Sequence, residues 1–533
     1  MTEQSLQRLI ASLLVVRASG YLRDSQRRYP QWELDNAALH RLLKQGVGGV
    51  ILLGGGAAEL SQRCRQLQRW AQAPLLLCAD VEEGVGQRFE GASWLPPPLS
   101  LGRLHARDPQ GAVELARRYG HCTGREAHQV GLNWVLGPVC DVNNNPANPV
   151  INVRAWGETP DAVAALSCAF SEGLRAAGVL GCAKHFPGHG DTSVDSHLEL
   201  PVLPHSRERL NAVELPPFAA CIAAGIDAVM TAHLMLPALD AERPATLSKA
   251  VLTDLLRGEL GFGGLVVTDA LVMEAISRHY GAGEAAVLAL EAGADLVLMP
   301  ADADAAMAAI AAAVQSGRLS LEQLQTSAVR RETALQRLAR TPAAPAVDGT
   351  QDADMALVQE LLEHTLERQG PQRATKASAA AGINLIRLDS TLQAPQAIPN
   401  LPALELPLAQ GWRPLLLEPR SPSPWSGDPA APLALERLGE GPVLLQLFVR
   451  GNPFRGSSAA SEPWVQVVQQ LQQQDRLAGL VVYGSPYLWE QLKPLLQAHI
   501  GAAYSPGQMP LAQSVALESL GLGHTEAPTG FTD

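Results

Sequence analysis

Eight short apolar runs spread over the first 300 residues limit this fold more than any other feature. They read "LLVV" (13–16), "GGVILLGG" (48–55), "PLLLCAD" (74–80), "LNWVLGPVCD" (132–141), "VLGCAKH" (179–185), "DAVMTAH" (227–233), "GLVVTDA" (264–270) and "ADLVLMP" (294–300). Each is continuous rather than alternating, as parallel strands buried on both faces require. Amphipathic stretches separate them. "DAVAALSCAFSEGLRAAG" (161–178) carries Ala, Leu and Phe at three- and four-residue spacing, and "PATLSKAVLTDLLRGELG" (244–261) is similar and ends at glycine. Eight strand–helix units over such a length define a (β/α)8 barrel of the TIM type, with a doubly wound open sheet as the competing arrangement.

At 533 residues the chain exceeds one ordinary domain. A helical segment at 320–340 closes the first part, giving a catalytic barrel domain over 1–340. "TPAAPAVDGT" leads a linker over 341–352. A second, smaller α/β sandwich domain spans 353–533. It starts with a helix at "DMALVQELLEHTLERQ" and continues with strand-like runs at 382–389, 414–419, 442–449 and 478–486. Nothing in it has a catalytic pattern, and 391–440 is rich in Pro and Leu without periodicity.

The net charge of −12 argues against nucleic acid or an anionic membrane as partner. No apolar run reaches membrane-spanning length. The start "MTEQSLQRLIASLLVV" lacks the charged region and cleavage site of a signal peptide. Seven cysteines, an odd number with several inside apolar runs and no CxxC, suit buried thiols in a reducing compartment, and hence a cytoplasmic protein.

In a barrel, chemistry gathers at the C-terminal ends of the strands. Here those ends carry Asp80 with Arg88 close behind, Asp141 with Arg154 after it, Lys184–His185, His233, and Asp269. One such residue is usually structural; five strands ending this way point to a polar ligand. The loop after the fifth strand, "KHFPGHGDTSVDSH" (184–197), is long and rich in Gly and His. Its His185, His189, Asp191 and His197 could hold a metal ion. The first strand, however, lacks the His-x-His of a barrel metallohydrolase. Proton transfer suits "DSH" better: Asp195, two residues before His197, can orient its imidazole and favour its protonation.

The His loop, with "TDALVME" about seventy residues on, resembles glycoside hydrolase family 3, and within it the β-N-acetylglucosaminidase branch. "DVEEGVGQR", "GPVCDVNNNPANPVINVRAWG", "MTAHLMLPALDAERPATLS" and "GFGGLVVTDALVMEAI" follow the family's order, so the resemblance covers about residues 10–300. It implies a retaining double displacement that hydrolyses terminal β-linked GlcNAc, with muropeptides of cell-wall recycling as one substrate class. Asp269 matches the nucleophile, His197 the acid/base and Asp195 its partner. Asp80, Arg88, Arg154, Lys184, His185 and His233 match sugar contacts, while His189 shapes the loop. No metal or organic cofactor is implied. The motif departs from the family's "DxEGGRVQR": Glu83 stands for a Gly, and Val85–Gly86 for Arg–Val, which puts the local backbone in question.

Three other functions compete. A β-glucosidase of the family would carry its acid/base on the second domain, against which the intact "DSH" argues. In a phosphorylase, a histidine would repel incoming phosphate less than a carboxylate. A binding protein that kept the barrel would have lost Asp269 or His197, and both are present.

Overall fold

The computed structural model describes residues 2–196, 198–339, 352–372, 382–388, 401–418, 421–450 and 462–523. His197, and the expected linker apart from Asp352, lie outside the described residues. The chain divides into two compact units, Met1–Leu357 and Val358–Asp533.

The first unit is built on strands β1 (Leu14–Ser19), β2 (Gly49–Leu53), β3 (Leu76–Ala79), β4 (Trp134–Val135), β5 (Cys182–Phe186), β6 (Ala228–Thr231), β7 (Leu265–Val267) and β8 (Val297–Leu298). Parallel ladders run β4-β3-β2-β1-β8 and β5-β6-β7. Parallel bridges at Trp134↔Leu180 and Val267↔Leu296 join the two arcs, so the ring closes as a (β/α)8 barrel and the open sheet is excluded. The strands are short because they are buried on both faces and need span only the barrel wall; β3 and β6 are buried at every position. β4 keeps two ladder residues of its ten-residue apolar run. The rest passes through Gly137–Pro138 to Cys140 and Asp141, tied to β5 by Cys140 N–H donating to the Lys184 carbonyl at 2.5 Å.

Local chemistry sets where the outer helices begin and end. Helix Asn36–Gln45 starts where Asp35 accepts from Ala38 N–H, and stops at Gly46, whose φ of 104° few other residues tolerate. Helix Pro160–Ala176 starts at Thr159 with proline in its first turn. The expected helix at 244–261 is instead a 3-10 turn, Ala245–Leu247, followed by a π-helix, Ala250–Glu259. Nothing in its sequence explains the wider turn.

The second unit holds β9 (Glu367–Gln369), β10 (Ile383–Leu388), β11 (Arg413–Leu417), β12 (Val443–Val449), β13 (Leu477–Gly484) and β14 (Gly501–Ser505). They order as β11-β10-β12-β13-β14-β9, parallel except for β9. One face is covered by Trp464, Val467, Leu471, Trp489 and Leu492, the other by Ala403, Leu406, Ala516 and Leu517. The result is a three-layer α/β sandwich. β9 is polar and β14 is short, with Gly, Ala and Ser around Tyr504, so neither has the apolar run that marks the other strands.

Candidate active site

The site is assembled from loops at the C-terminal ends of the barrel strands. Asp80 directly follows β3, and its carbonyl accepts from Arg88 Nε at 3.1 Å, which folds the loop back on itself. Gly84 holds φ +80°, and a Cβ there would meet the Ser93 carbonyl at 2.5 Å. Glu83, where the family motif has glycine, is fully buried and accepts from Trp94 Nε1 at 3.0 Å. The substitution is therefore accommodated by a hydrogen bond inside the loop. Tyr119 supports the same loop from below: its hydroxyl donates to the Glu82 and Pro96 carbonyls while its ring meets Trp156 and Phe170 edge-on.

Glu82 is the residue that sequence reasoning missed. Its carboxylate accepts from Arg154 Nε and from a terminal nitrogen of that residue at 2.8 Å each, and from Lys184 Nζ at 2.7 Å. Lys184 Nζ also lies 2.7 Å from Asp80 Oδ1. Burial would raise the Glu82 carboxyl, but the charges of Arg154 and Lys184 outweigh it and hold it well below the usual range. Burial likewise opposes the charge on Lys184, and Asp80 and Glu82 keep it protonated. Two cations and two carboxylates thus form one network contributed by three strands. Three of the expected contacts, Asp80, Arg154 and Lys184, meet in it directly. The one available signal for Glu82 was its place in the "DVEEG" motif, since both partners lie far away in the chain.

Asp141 is the second organising carboxylate. It is fully buried, accepts from His189 N–H at 2.7 Å and His185 N–H at 3.2 Å on Oδ1, and pairs with His185 Nδ1 at 2.7 Å on Oδ2. Burial would raise its pKa, yet His185 leads the interactions that lower it. The His185 ring thereby has Nδ1 fixed and Nε2 left for other contacts. Gly190 permits this packing, because a Cβ there would sit 1.8 Å from the Val142 carbonyl.

His189 pairs through Nδ1 with Thr192 Oγ1 at 2.7 Å and through Nε2 with Ser196 Oγ at 2.9 Å. Both nitrogens are engaged, which takes this ring away from a metal ion and ties the loop's far end to its middle. Burial lowers its pKa to about 4, so the ring is neutral. Asp191 faces His205 and Arg209. Asp195 is buried, and its carbonyl accepts from Leu198 and Glu199 N–H. His197 lies outside the described residues.

Across the barrel, Asp269 stands two residues past β7. Its N–H donates to Thr231 Oγ1 at 3.3 Å, and its Oδ1 accepts from Ala270 N–H at 2.7 Å. His233 is fully buried, with Nδ1 2.8 Å from Thr246 Oγ1 and Nε2 donating to the Ala270 carbonyl at 3.0 Å. Its ring therefore braces the backbone beside Asp269. Asp269 is close enough to act electrostatically on His189, as Asp80 and Asp141 act on Arg154. One end of the barrel thus gathers two carboxylate-led networks and an anchored aspartate.

This combination is a polar pocket of carboxylates and cations at the C-terminal end of a (β/α)8 barrel, where the chemistry of such barrels is sited. The pattern described as "Glycosyl hydrolase family 3 N terminal domain" matches residues 6–334, and "Bacterial Glycosyl hydrolase family 3 C-terminal domain" matches 375–521. The chain belongs to glycosyl hydrolase family 3. It is 38% identical over 315 residues to a beta-hexosaminidase A of Pseudoalteromonas piscicida, covering 53% of this chain and 52% of that protein. The chain thus spans about half the length of that relative. A beta-hexosaminidase of Stenotrophomonas maltophilia strain K279a is 40% identical over 263 residues, 48% of this chain and 77% of that one. The solved structure of a family 3 beta-N-acetylglucosaminidase from Paenibacillus sp. str. FPU-7 superposes with a TM-score of 0.77 at 29% identity, covering 99% of this chain and 98% of that one.

Proposed function

We propose that the protein is a retaining, exo-acting β-N-acetylglucosaminidase. One observation carries this reading: Asp269 stands at the same end of the barrel as the Asp80–Lys184–Glu82–Arg154 network, in a chain whose barrel aligns with beta-hexosaminidases. The network offers fixed carboxylates and cations to sugar hydroxyl and carbonyl oxygens. Asp80, Arg88, Arg154, Lys184, His185 and His233 bind the sugar, and His233 also holds the nucleophile's backbone.

In the first step the Asp269 carboxylate attacks the anomeric carbon as its bond to the leaving oxygen breaks, and His197 gives that oxygen a proton. In the second, His197 takes a proton from water, which attacks the same carbon and frees Asp269. Asp195 orients His197. The residues supply all of this without a metal or organic cofactor. Muropeptides of cell-wall recycling are the proposed natural substrates. The free cysteines of the described residues, six of seven buried, are compatible with a cytoplasmic setting.

The test compares initial rates on p-nitrophenyl β-N-acetylglucosaminide and β-glucoside, with and without phosphate. A strong GlcNAc preference unaffected by phosphate supports the proposal. Equal rates on glucoside, or a rate that needs phosphate, would replace it with the β-glucosidase or the phosphorylase.

A further inference from the structure

Three thiols line up between the barrel surface and the active-site wall. Cys168 lies on helix Pro160–Ala176 and is partly exposed, whereas Cys221, on helix Pro216–Ala223, and Cys140, after β4, have no exposed surface. Cys221 Sγ is 3.9 Å from Cys168 Sγ and 3.7 Å from Cys140 Sγ. Cys140 immediately precedes Asp141, whose carboxylate fixes both His185 and His189, and its own N–H is bonded to the Lys184 carbonyl.

We propose that Cys168 and Cys221 form a thiol–disulfide exchange site for a small disulfide such as oxidised glutathione, and that Cys140 couples its state to the active site. Position sets the roles. Cys168 is the thiol a small molecule can reach, so its thiolate attacks one sulfur of the disulfide and expels the other as a thiolate. Cys221 Sγ then attacks Cys168 Sγ, and the second small thiolate leaves and takes the Cys221 proton. Two protein thiols and one small disulfide become one protein disulfide and two small thiols. The neighbouring Cys221 and the charge of Arg175 lower the Cys168 thiol pKa, while Cys140, Cys168 and burial raise that of Cys221, so Cys168 attacks first and Cys221 only resolves the mixed disulfide. A bond of about 2 Å cannot form from the resting separation unless Cys221 Sγ moves toward Cys168 and away from Cys140. In a close-packed interior that leaves a gap behind the Cys140–Asp141 segment, which the two histidines feel.

The test incubates the full chain with oxidised glutathione and maps unreduced peptides by mass. In parallel, p-nitrophenyl β-N-acetylglucosaminide turnover is followed before and after dithiothreitol. The expected result is a Cys168–Cys221 cross-linked peptide, lighter than its two parts by two hydrogens. Turnover should fall severalfold and recover on reduction. Cys168→Ser, at a partly exposed position, should keep the basal rate and lose the response. A stable glutathione adduct on Cys168 without the cross-link, or no modification, overturns the exchange site. A cross-link with unchanged turnover overturns the coupling through Cys140. The mapping does not depend on activity, so its failure is distinguishable from failure of the glycosidase proposal.

Discussion

The ammonium of Lys184 lies 2.7 Å from the Glu82 carboxylate, and both side chains are almost wholly shielded from solvent. These charges are tolerable there because Asp80 and Arg154 complete the network around them. Glu82→Ala would take from buried Arg154 the carboxylate it is hydrogen-bonded to and leave Lys184 with Asp80 alone, and should cost about 3–5 kcal/mol of stability in urea unfolding. The Glu82 pKa is depressed by folding, so its contribution is present above its unfolded value of 4.5 and is lost as pH falls below it. The variant should therefore show a shallower acid limb than the wild type.

Asp269→Asn keeps the shape of the site and removes the attacking charge. Turnover of p-nitrophenyl β-N-acetylglucosaminide should drop by about 10⁴-fold or more, with the unfolding transition little changed. In Asp269→Ala, which vacates the nucleophile's space, added azide should restore part of the rate and yield a glycosyl azide. An unaffected rate would remove Asp269 from its proposed role.

Loss of the proton donor depends on the leaving group. His197→Ala should lower turnover of a GlcNAc disaccharide by about 10²–10⁴-fold. The effect on p-nitrophenyl glycoside should be smaller in the first step, because p-nitrophenolate leaves without a proton. Asp195→Asn should lower turnover of the disaccharide in the same way, with a smaller loss. Equal losses on both substrates would contradict the assignment of His197 as acid.

His189 gives a pH dependence of the opposite chemical type. It titrates near 6.5 when unfolded and at about 4 in the folded protein, because burial disfavours its charge. Between those values the unfolded chain binds the extra proton, so stability falls as pH drops through this window, by roughly 3 kcal/mol in all. His189→Asn should remove that slope between pH 6.5 and 4 in denaturant titrations. A wild-type slope in the variant would assign the dependence to other groups.

The barrel was legible because each inner strand must be apolar on both faces, which leaves a continuous run in the sequence. β14 in the second unit escaped notice for the converse reason: in "GAAYS" only Tyr504 is large, and Gly, Ala and Ser leave no apolar run. The strand-end rule located Asp80, Lys184 and Asp269, since their place follows from the run before them. It could not reveal Glu82, whose meaning rests on Arg154 and Lys184, 72 and 102 positions away. Nor could it show that Asp141 anchors two histidines, or that His233 turns toward the Ala270 carbonyl. Those facts depend on which loops meet above the barrel, and the spacing of residues along the chain does not encode it.

Asp141 also limits how this site can be remodelled. One carboxylate from β4's extension holds the start of the 184–197 loop at His185 and its middle at His189. The loop is therefore not an exchangeable cassette. A segment transplanted from a relative would arrive without its anchor unless residue 141 and its setting travelled with it. Variation in this loop and in the segment after β4 must then proceed as a matched pair.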